Sequence, residues 1–290
     1  MPEPLCLLTV HAHPDDESSK GAGTVARYHA EGVRTVLVCC TGGEEGDILN
    51  PAMDRDDVRA DIAAVRRAEL DKAAAIIGYD EVVLLGYRDS GMPDSEANAN
   101  PEAFANAPFD EAVGRLVAII RRTRPQVIIT YGDEQGGYPH PDHLRVHDIT
   151  APAVERAADP GWDPDAGEPW QVAKVYWTVW SKRRLELTHA KYLELGLESP
   201  YTEQWFSRPW QDHLITTSID IEGHAEVRFE ALLAHATQID PESPFWFGLP
   251  REVAASIHPY DDYILAQTTV DVSRPEDDLF AGLRAEVAAP

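Results

Sequence analysis

The chain has 290 residues, of which 43% are hydrophobic and 26% charged, a composition typical of a soluble globular protein. This length allows one large domain or two smaller ones. Lys and Arg number 25 against 50 Asp and Glu, and the net charge of −25 repels phosphate groups, which argues against nucleic acid and anionic membranes as partners.

The first part of the chain alternates short apolar runs, typical of buried strands, with longer segments of helical periodicity. This alternation predicts an α/β fold: a Rossmann-like, mostly parallel sheet with helices on both faces. Gly78 and Pro125 are expected to end helices, and Pro152 to kink or divide one. In chain order the predicted elements are strand 5–10, helix 21–31, strand 33–40, helix 56–77, strand 82–85, helix 110–123, strand 127–131, helix 143–158 and strand 172–180.

The alternation of strands and helices fades after Trp180. We therefore expect a catalytic α/β domain over 1–180 and a smaller C-terminal lobe over 181–290, packed on it as a cap or continuing the same domain. Two aromatic-rich segments of this lobe, 200–210 and 244–250, either line a ligand pocket or form the lobe's own core.

The cysteines and the N-terminus both indicate a cytoplasmic protein. Cys6, Cys39 and Cys40 are odd in number and lie in apolar runs, so we expect reduced core residues and no disulfide framework. No apolar run approaches the roughly 18 residues of a membrane span, and the N-terminus lacks the basic stretch of a signal peptide. The sequence leaves the oligomeric state undetermined.

Chemically active side chains follow the first and fourth predicted strands. His11, His13 and the acids of 15–17 follow the first, and the His- and Pro-rich stretch 138–143 follows the fourth. Ligands of parallel sheets lie beyond the carboxyl ends of the strands, so the two loops face each other if these strands are close. Imidazole and carboxylate ligands suit a catalytic zinc and also non-haem iron, so a metal site is predicted without fixing the metal.

The H-P-D-D-E sequence at 13–17 and the H-P-D-H sequence at 140–143 resemble the metal motifs of the LmbE/PIG-L family of zinc-dependent N-deacetylases. Segments such as 41–44 and 235–241 further resemble the branch of the family that hydrolyses mycothiol S-conjugates. The resemblance spans roughly 5–266. It implies hydrolysis of the amide between N-acetylcysteine and glucosamine in a small-molecule thiol conjugate. Alternatives are deacetylation of N-acetyl-glucosaminyl-inositol and trimming of a mycothiol adduct of a natural product.

The resemblance also implies the metal ligands, which are His13, Asp16 and His143, holding Zn²⁺ or alternatively Fe²⁺. The family pattern does not use His11, which we expect to pack near the site. His147 lies one helical turn after His143, and we expect it on the helix face rather than on the metal.

For catalysis the resemblance implies Asp15 as general base and His140 as an imidazolium that stabilises the oxyanion and protonates the leaving amine. Asp142 would orient His140 and raise its pKa, and the Tyr138 hydroxyl would help hold the oxyanion. A module that only binds metal or sugar needs neither an acid nor a base, and a non-haem iron oxygenase is disfavoured by the same extra residues.

Four further residues are expected to bind substrate. Arg66, in an R-x-x-E pattern with Glu69, would contact the inositol–sugar end, or else form a surface ion pair with that glutamate. Asp89 resembles an acceptor for a sugar hydroxyl, or is an ordinary turn residue. Asp47 stands where the deacetylase branch has a glutamate, and Lys20 would meet a polar group of the cysteinyl conjugate or remain solvated.

Overall fold

A computed structural model describes residues 4–133 and 138–284. Within these ranges the chain forms a seven-stranded sheet with the strand order β3-β2-β1-β4-β5-β7-β6. The first five strands are parallel, β7 is antiparallel to β5, and β6 is antiparallel to β7. The strands are β1 Cys6–His11, β2 Arg34–Thr41, β3 Glu81–Tyr87, β4 Val127–Thr130, β5 Lys174–Val179, β6 Thr217–Asp220 and β7 Tyr260–Thr268.

Helices cover both faces of this sheet, as the alternation of elements predicts. One apolar core lies under α5 and α6, and the other lies under α2, α4 and α9. The α/β fold class is therefore confirmed. The helices of the described ranges are α1 Asp16–Ser19, α2 Ala22–Ala30, α3 Asp56–Ala60, α4 Ile62–Ile77, α5 Phe109–Thr123, α6 Pro141–Ala158, α7 Lys182–Glu194, α8 Glu203–Phe206, α9 Val227–Ala234, α10 Pro244–Phe247 and α11 Arg251–Ile257.

The strand order places the candidate loops together. β1 lies between β2 and β4, and the chain order of the strands reverses at the β1–β4 pair. Such a reversal opens a crevice at the carboxyl ends of the two strands. The described parts of the loops that follow β1 and β4 therefore face each other, as expected for loops that follow neighbouring strands.

The C-terminal segment extends the same sheet. β6 and β7 follow the predicted boundary at residue 180, and β7 pairs with β5 along its length. Lys174 on β5 and Glu276 form a fully buried ion pair with 2.6 Å between Nζ and Oε1. The predicted division thus separates the parallel from the antiparallel strands of one sheet.

The structure differs from two expectations about helices: one predicted helix is broken in two, and another is not divided. The helix predicted over 56–77 is two helices, because Asp61 leaves the helical conformation and its carboxylate accepts the Ala64 N–H at 3.3 Å as the cap of α4. Pro152 does not divide α6, which runs through it from Pro141 to Ala158. The apolar residues beside it, Ile149, Ala153 and Val154, are buried in the core, and this packing offsets the one hydrogen bond that a proline removes.

Other element boundaries follow the expected local chemistry. Gly78 ends α4 in the left-handed conformation, with φ at 97°. Cys6, Cys39 and Cys40 are free and buried, as expected. None of the helices within the described ranges combines the length and apolar character that crossing a bilayer requires.

Candidate active site

The loop after β1 turns sharply to present its acids. Asp15 has φ at 116°, a left-handed conformation that few non-glycine residues adopt. Its backbone N–H donates to Glu17 Oε2 at 2.9 Å, and Asp16 then begins α1. The loop after β4 ends at α6, where the His140 ring accepts the Asp142 N–H at 3.2 Å as a helix cap. Both loops therefore fix their functional side chains by hydrogen bonds to neighbouring backbone.

Three predicted metal ligands converge between these loops. His13, Asp16 and His143 each bring one ligand atom into a group whose members all lie within 4.8 Å of one another. Asp16 Oδ2 is 3.5 Å from His13 Nδ1 and 3.3 Å from His143 Nε2. All three side chains are buried. Two imidazoles and one carboxylate at this spacing fit the donor set of a single divalent ion with an open position.

The charges of two members of the trio, Asp16 and His143, suit a cation. Although burial opposes its ionisation, His143 and Lys20 hold the pKa of Asp16 well below its usual range. Burial lowers the pKa of His143 to about 4, so this imidazole is neutral at physiological pH. Anionic carboxylate and neutral imidazole are the forms that bind metals.

His13 also belongs to a second group of ligand atoms within 4.8 Å, formed with Asp89, His140 and Asp142. Its Nε2 is 3.1 Å from Asp142 Oδ2 and 3.6 Å from Asp89 Oδ1, whereas its Nδ1 faces Asp16. Metal-binding histidines commonly present their other nitrogen to a carboxylate. The two groups are thus compatible with one ion held by His13, Asp16 and His143. Asp142 then contacts the His13 nitrogen that does not face Asp16.

Asp15 stands beside the trio without joining it. Arg66 Nη2 lies 3.2 Å from Asp15 Oδ2, and the same guanidinium donates to the carbonyls of Pro14 and Gly43. A Cβ at Gly43 would collide with that guanidinium, so only glycine fits there. Burial raises the pKa of Asp15, and Arg66 opposes the rise. The carboxylate keeps 29% of its surface exposed and can meet a ligand.

Asp142 contacts His140 differently from expectation. The backbone of Asp142, not its carboxylate, bonds the His140 ring. The carboxylate instead accepts the N–H of Ser90 at 2.9 Å and its hydroxyl, and contacts His13. Burial and the neighbouring His13 lower the pKa of His140, outweighing the upward effect of Asp142. This arrangement does not favour the imidazolium form expected from the sequence.

Tyr138 and Lys20 lie on either side of the ligand trio. The Tyr138 ring is 5.3 Å from that of His143, and 46% of the residue is exposed. Lys20 Nζ is 2.5 Å from Asp16 Oδ1, so Lys20 contacts a predicted metal ligand and is not a free solvated lysine.

The remaining predicted substrate residues differ in how exposed their side chains are and in the contacts that they make. Asp89 is buried and accepts the N–H groups of Gly91 at 2.8 Å and Glu45 at 3.3 Å. Its pKa is lowered by His13 despite its burial. Asp47 is exposed at the rim of the cleft. Arg66 is only 2% exposed and binds Asp15, which replaces the surface ion pair considered from the sequence.

Glu69 and Glu17 bind the distant C-terminal segment. Glu69 accepts the N–H and the hydroxyl of Thr237 at 2.8 and 2.6 Å. Glu17 Oε1 lies 2.6 Å from His235 Nε2, and both side chains are fully buried. Glu17 also holds Asp15, so this pair couples the lobe to the catalytic loop. The sequence marked 235–241 only as a branch-like segment.

Two histidines outside the ligand trio, His11 and His147, both contact Tyr131. His11 Nδ1 is 3.1 Å from the Tyr131 hydroxyl, and the Tyr131 ring stacks on His143 at 4.6 Å. His147 Nδ1 lies 3.0 Å from the Tyr131 carbonyl oxygen. Neither histidine belongs to the ligand groups found among the described residues.

A cleft of about 690 Å³ opens above the trio. It reaches every predicted site residue except Asp142, which is fully buried. Aromatic rings of the C-terminal lobe form its far wall and also contact each other, with 4.7 Å between the centroids of Phe245 and Trp246. These rings thus both line a pocket and pack as a core. The wall residues are Trp180, Trp205, Trp210, Phe245 and Trp246.

Comparisons with known proteins agree with this site. The sequence profile described as PIG-L: GlcNAc-PI de-N-acetylase matches residues 8–154. The chain is 47% identical to a mycothiol S-conjugate amidase from Streptomyces coelicolor, over 98% of this chain and 99% of that protein. It is 41% identical to a 1D-myo-inositol 2-acetamido-2-deoxy-alpha-D-glucopyranoside deacetylase from Geodermatophilus obscurus, over 96% and 97%. N,N'-diacetylchitobiose deacetylase from Pyrococcus horikoshii shares the fold, with a TM-score of 0.60 and 17% identity over 90% of this chain and 83% of that one.

Proposed function

The chain belongs to the PIG-L family, and from this premise we propose that it is a zinc-dependent amidase of mycothiol S-conjugates. The bond cut is the amide that joins N-acetylcysteine, carrying the S-substituent, to the glucosamine of glucosaminyl-inositol. The products are a mercapturic acid and glucosaminyl-inositol, which places the reaction in thiol-based detoxification. The 47% identity to an amidase so named, over nearly the whole chain, supports this substrate class.

The observation that carries the proposal is a buried ligand trio with a separate carboxylate at its side. His13, Asp16 and His143 bring their ligand atoms within 4.8 Å, and Asp15 adjoins them with part of its surface open to the cleft. Metal binding alone has no use for this additional carboxylate. A base beside a metal site is what hydrolysis of an amide needs.

A divalent ion held by the trio would polarise the substrate carbonyl and lower the pKa of a bound water to about 7. Asp15 accepts the proton of the attacking water, and its raised pKa makes it a better base than an ordinary aspartate. Arg66 and Glu17 hold its side chain and its backbone respectively, which keeps the carboxylate in place.

We assign protonation of the leaving amine and stabilisation of the oxyanion to residues of the loop after β4. His140 lies 4.4 Å from the His13 ring, measured between centroids, and lines the cleft. Protonated during turnover, His140 donates a proton to the departing glucosamine nitrogen, and the Tyr138 hydroxyl helps to stabilise the oxyanion. Asp142 keeps His140 and His13 in position. Lys20, Asp47, Arg66 and Asp89 are proposed to bind the substrate at the cleft.

Deacetylation of N-acetyl-glucosaminyl-inositol is the second candidate, because a deacetylase of this description is 41% identical over 96% of the chain. The same residues would perform it, since both reactions cleave an amide on the glucosamine nitrogen. The aromatic wall favours the amidase, because an acetyl group is too small to need a cleft of about 690 Å³.

The test is a comparison of kcat/KM on a mycothiol S-conjugate and on N-acetyl-glucosaminyl-inositol, together with the metal content of the purified protein. We expect about one zinc per chain and a higher kcat/KM on the conjugate. Hydrolysis of the acetyl substrate alone would replace the proposal with the second candidate. A protein without turnover on either substrate when loaded with zinc would overturn both.

A further inference from the structure

A second cavity, of about 90 Å³, lies in the C-terminal lobe beside the main cleft. Trp180, Trp210, Phe245 and Trp246 line both spaces, so the two are separated by shared rings. This volume is well below the roughly 300–1,000 Å³ of pockets for whole small molecules. The cavity therefore suits one end group of a ligand whose remainder lies in the cleft.

Three buried hydrogen-bond donors that line this cavity have no partner among the described residues. The Nε of Arg228 and the Nε1 atoms of Trp180 and Trp210 are buried and have no hydrogen-bond partner among the described residues. A buried donor without a partner is unfavourable, so a cluster of three calls for an acceptor. All three groups donate and none accepts, which selects a ligand group rich in lone pairs.

The charge of Arg228 also lacks a direct ion pair among the described residues. No ion pair joins it to an acid within 4–133 or 138–284, whereas the neighbouring Arg184 is paired with Asp261 at 3.2 Å. Burial and Arg184 lower the pKa of Arg228 to about 10, which leaves it cationic at neutral pH. A half-buried cation without a direct ion pair is unusual in a chain with a net charge of −25.

Two rings contact Arg228 but do not complete its environment. Its guanidinium carbon lies 5.4 Å from the Trp180 ring centroid and 5.3 Å from that of Trp246. Such cation–π contacts position the charge. They leave the Nε–H of the guanidinium without an acceptor, and a planar guanidinium matches the geometry of a carboxylate or sulfonate.

We propose that this cavity is a subsite for an anionic end group, a carboxylate or a sulfonate, on the S-linked substituent of the substrate. The inference rests on the proposed function for the identity of the substrate. It goes beyond it by assigning a preference among S-substituents to Arg228, with Trp180 and Trp210 as additional donors. The subsite itself is a binding feature and takes no part in the cleavage.

The test uses two mycothiol conjugates of matched size, S-(4-carboxybenzyl) and S-(4-carbamoylbenzyl), which differ only in charge. We expect the full-length protein to prefer the carboxylate by about tenfold in kcat/KM, as for one charge-assisted hydrogen bond. Arg228→Met should abolish the preference while kcat/KM on the carbamoyl conjugate changes little. Arg228→Lys should retain part of it. A merely structural role for Arg228 would instead lower both rates together.

Arg251→Met is the matched control, since Arg251 lies in the same lobe, is 39% exposed and pairs with Glu230 outside the cavity. It removes the same charge and should keep the preference. A preference absent from the unmodified protein, or equal in the Arg228→Met and Arg251→Met variants, overturns the subsite.

Binding of the product N-acetyl-S-(4-carboxybenzyl)cysteine, measured by calorimetry, separates the two proposals. Binding that depends on Arg228, in a protein that hydrolyses no conjugate, would retain the subsite and overturn the proposed function. Hydrolysis without a charge preference would do the reverse.

Discussion

The two sides of the cleft hold their functional side chains in different ways. At the ends of β1 and β4, the catalytic candidates are held by polar neighbours, as Asp15 is by Arg66 and Glu17. In the C-terminal lobe, rings contact rings, and donors such as Arg228 Nε have no acceptor in the described part of the chain.

This difference separates two tasks. The first side is organised before a ligand arrives, which suits chemistry, because positioned groups need no rearrangement in the transition state. The lobe is completed only by a ligand, which suits selection among substrates. Substitutions on the first side should therefore change kcat, and substitutions in the lobe should change which substrate is preferred.

The largest effect is expected from His143→Ala. Removing one of three ligands should lower both the bound zinc and the amidase activity to background, as a chelator should in the unmodified protein. Metal analysis and the conjugate assay measure the two losses. His147→Ala is the control, since His147 lies one turn along α6 and outside the ligand groups. Loss of metal in the control instead would contradict the ligand assignment.

Asp15→Asn should separate the base from the metal. We expect kcat to fall by about 10²–10⁴, the contribution of general base catalysis, with the zinc content unchanged. Asn retains the size of the side chain, so the loop after β1 should keep its shape. Full activity in this variant, with metal bound, would remove Asp15 from the mechanism.

The link between the two sides can be measured as a coupling free energy. Glu17 and His235 lie 218 residues apart and meet at 2.6 Å in full burial. In a double-mutant cycle of Glu17→Gln and His235→Gln, we expect about 0.5–3 kcal/mol of coupling in the free energy of unfolding. Denaturant titration of the four proteins gives this value. Glu17→Gln should also lower kcat, because Glu17 holds the Asp15 backbone. Additive effects on stability would mean that the pair does not couple the regions.

The sequence predicted the first side much better than the second. His13, Asp16 and His143 could be placed because apolar periodicity located β1 and β4, and these candidate ligands lie in the segments that follow the two strands. Chain order in a parallel α/β sheet then brought the loops together. These are short-range signals joined by one topological rule.

The contacts of the lobe carry no such signal. The pairs Glu17–His235 and Glu69–Thr237 join residues more than 150 positions apart, and the local sequence of either segment does not indicate which residue it contacts. The break at Asp61 was missed for a related reason, since a carboxylate that caps a helix reads equally well as a polar residue inside one. Tertiary packing, rather than local pattern, decides these cases.

The smallest effect is expected from Trp205→Ala in the aromatic wall. Trp205 lines the cleft, its ring lies 5.4 Å from that of Phe245, and Arg208 stacks 3.7 Å above it. An aromatic contact contributes about 0.5–1.5 kcal/mol, so KM for a conjugate with a bulky S-substituent should rise by about two- to tenfold. The kcat for that conjugate, and both constants for an acetyl substrate, should stay the same, because the ring touches none of the ligand trio. An equal loss on both substrates would place the wall in the chemistry and remove the distinction between the two sides.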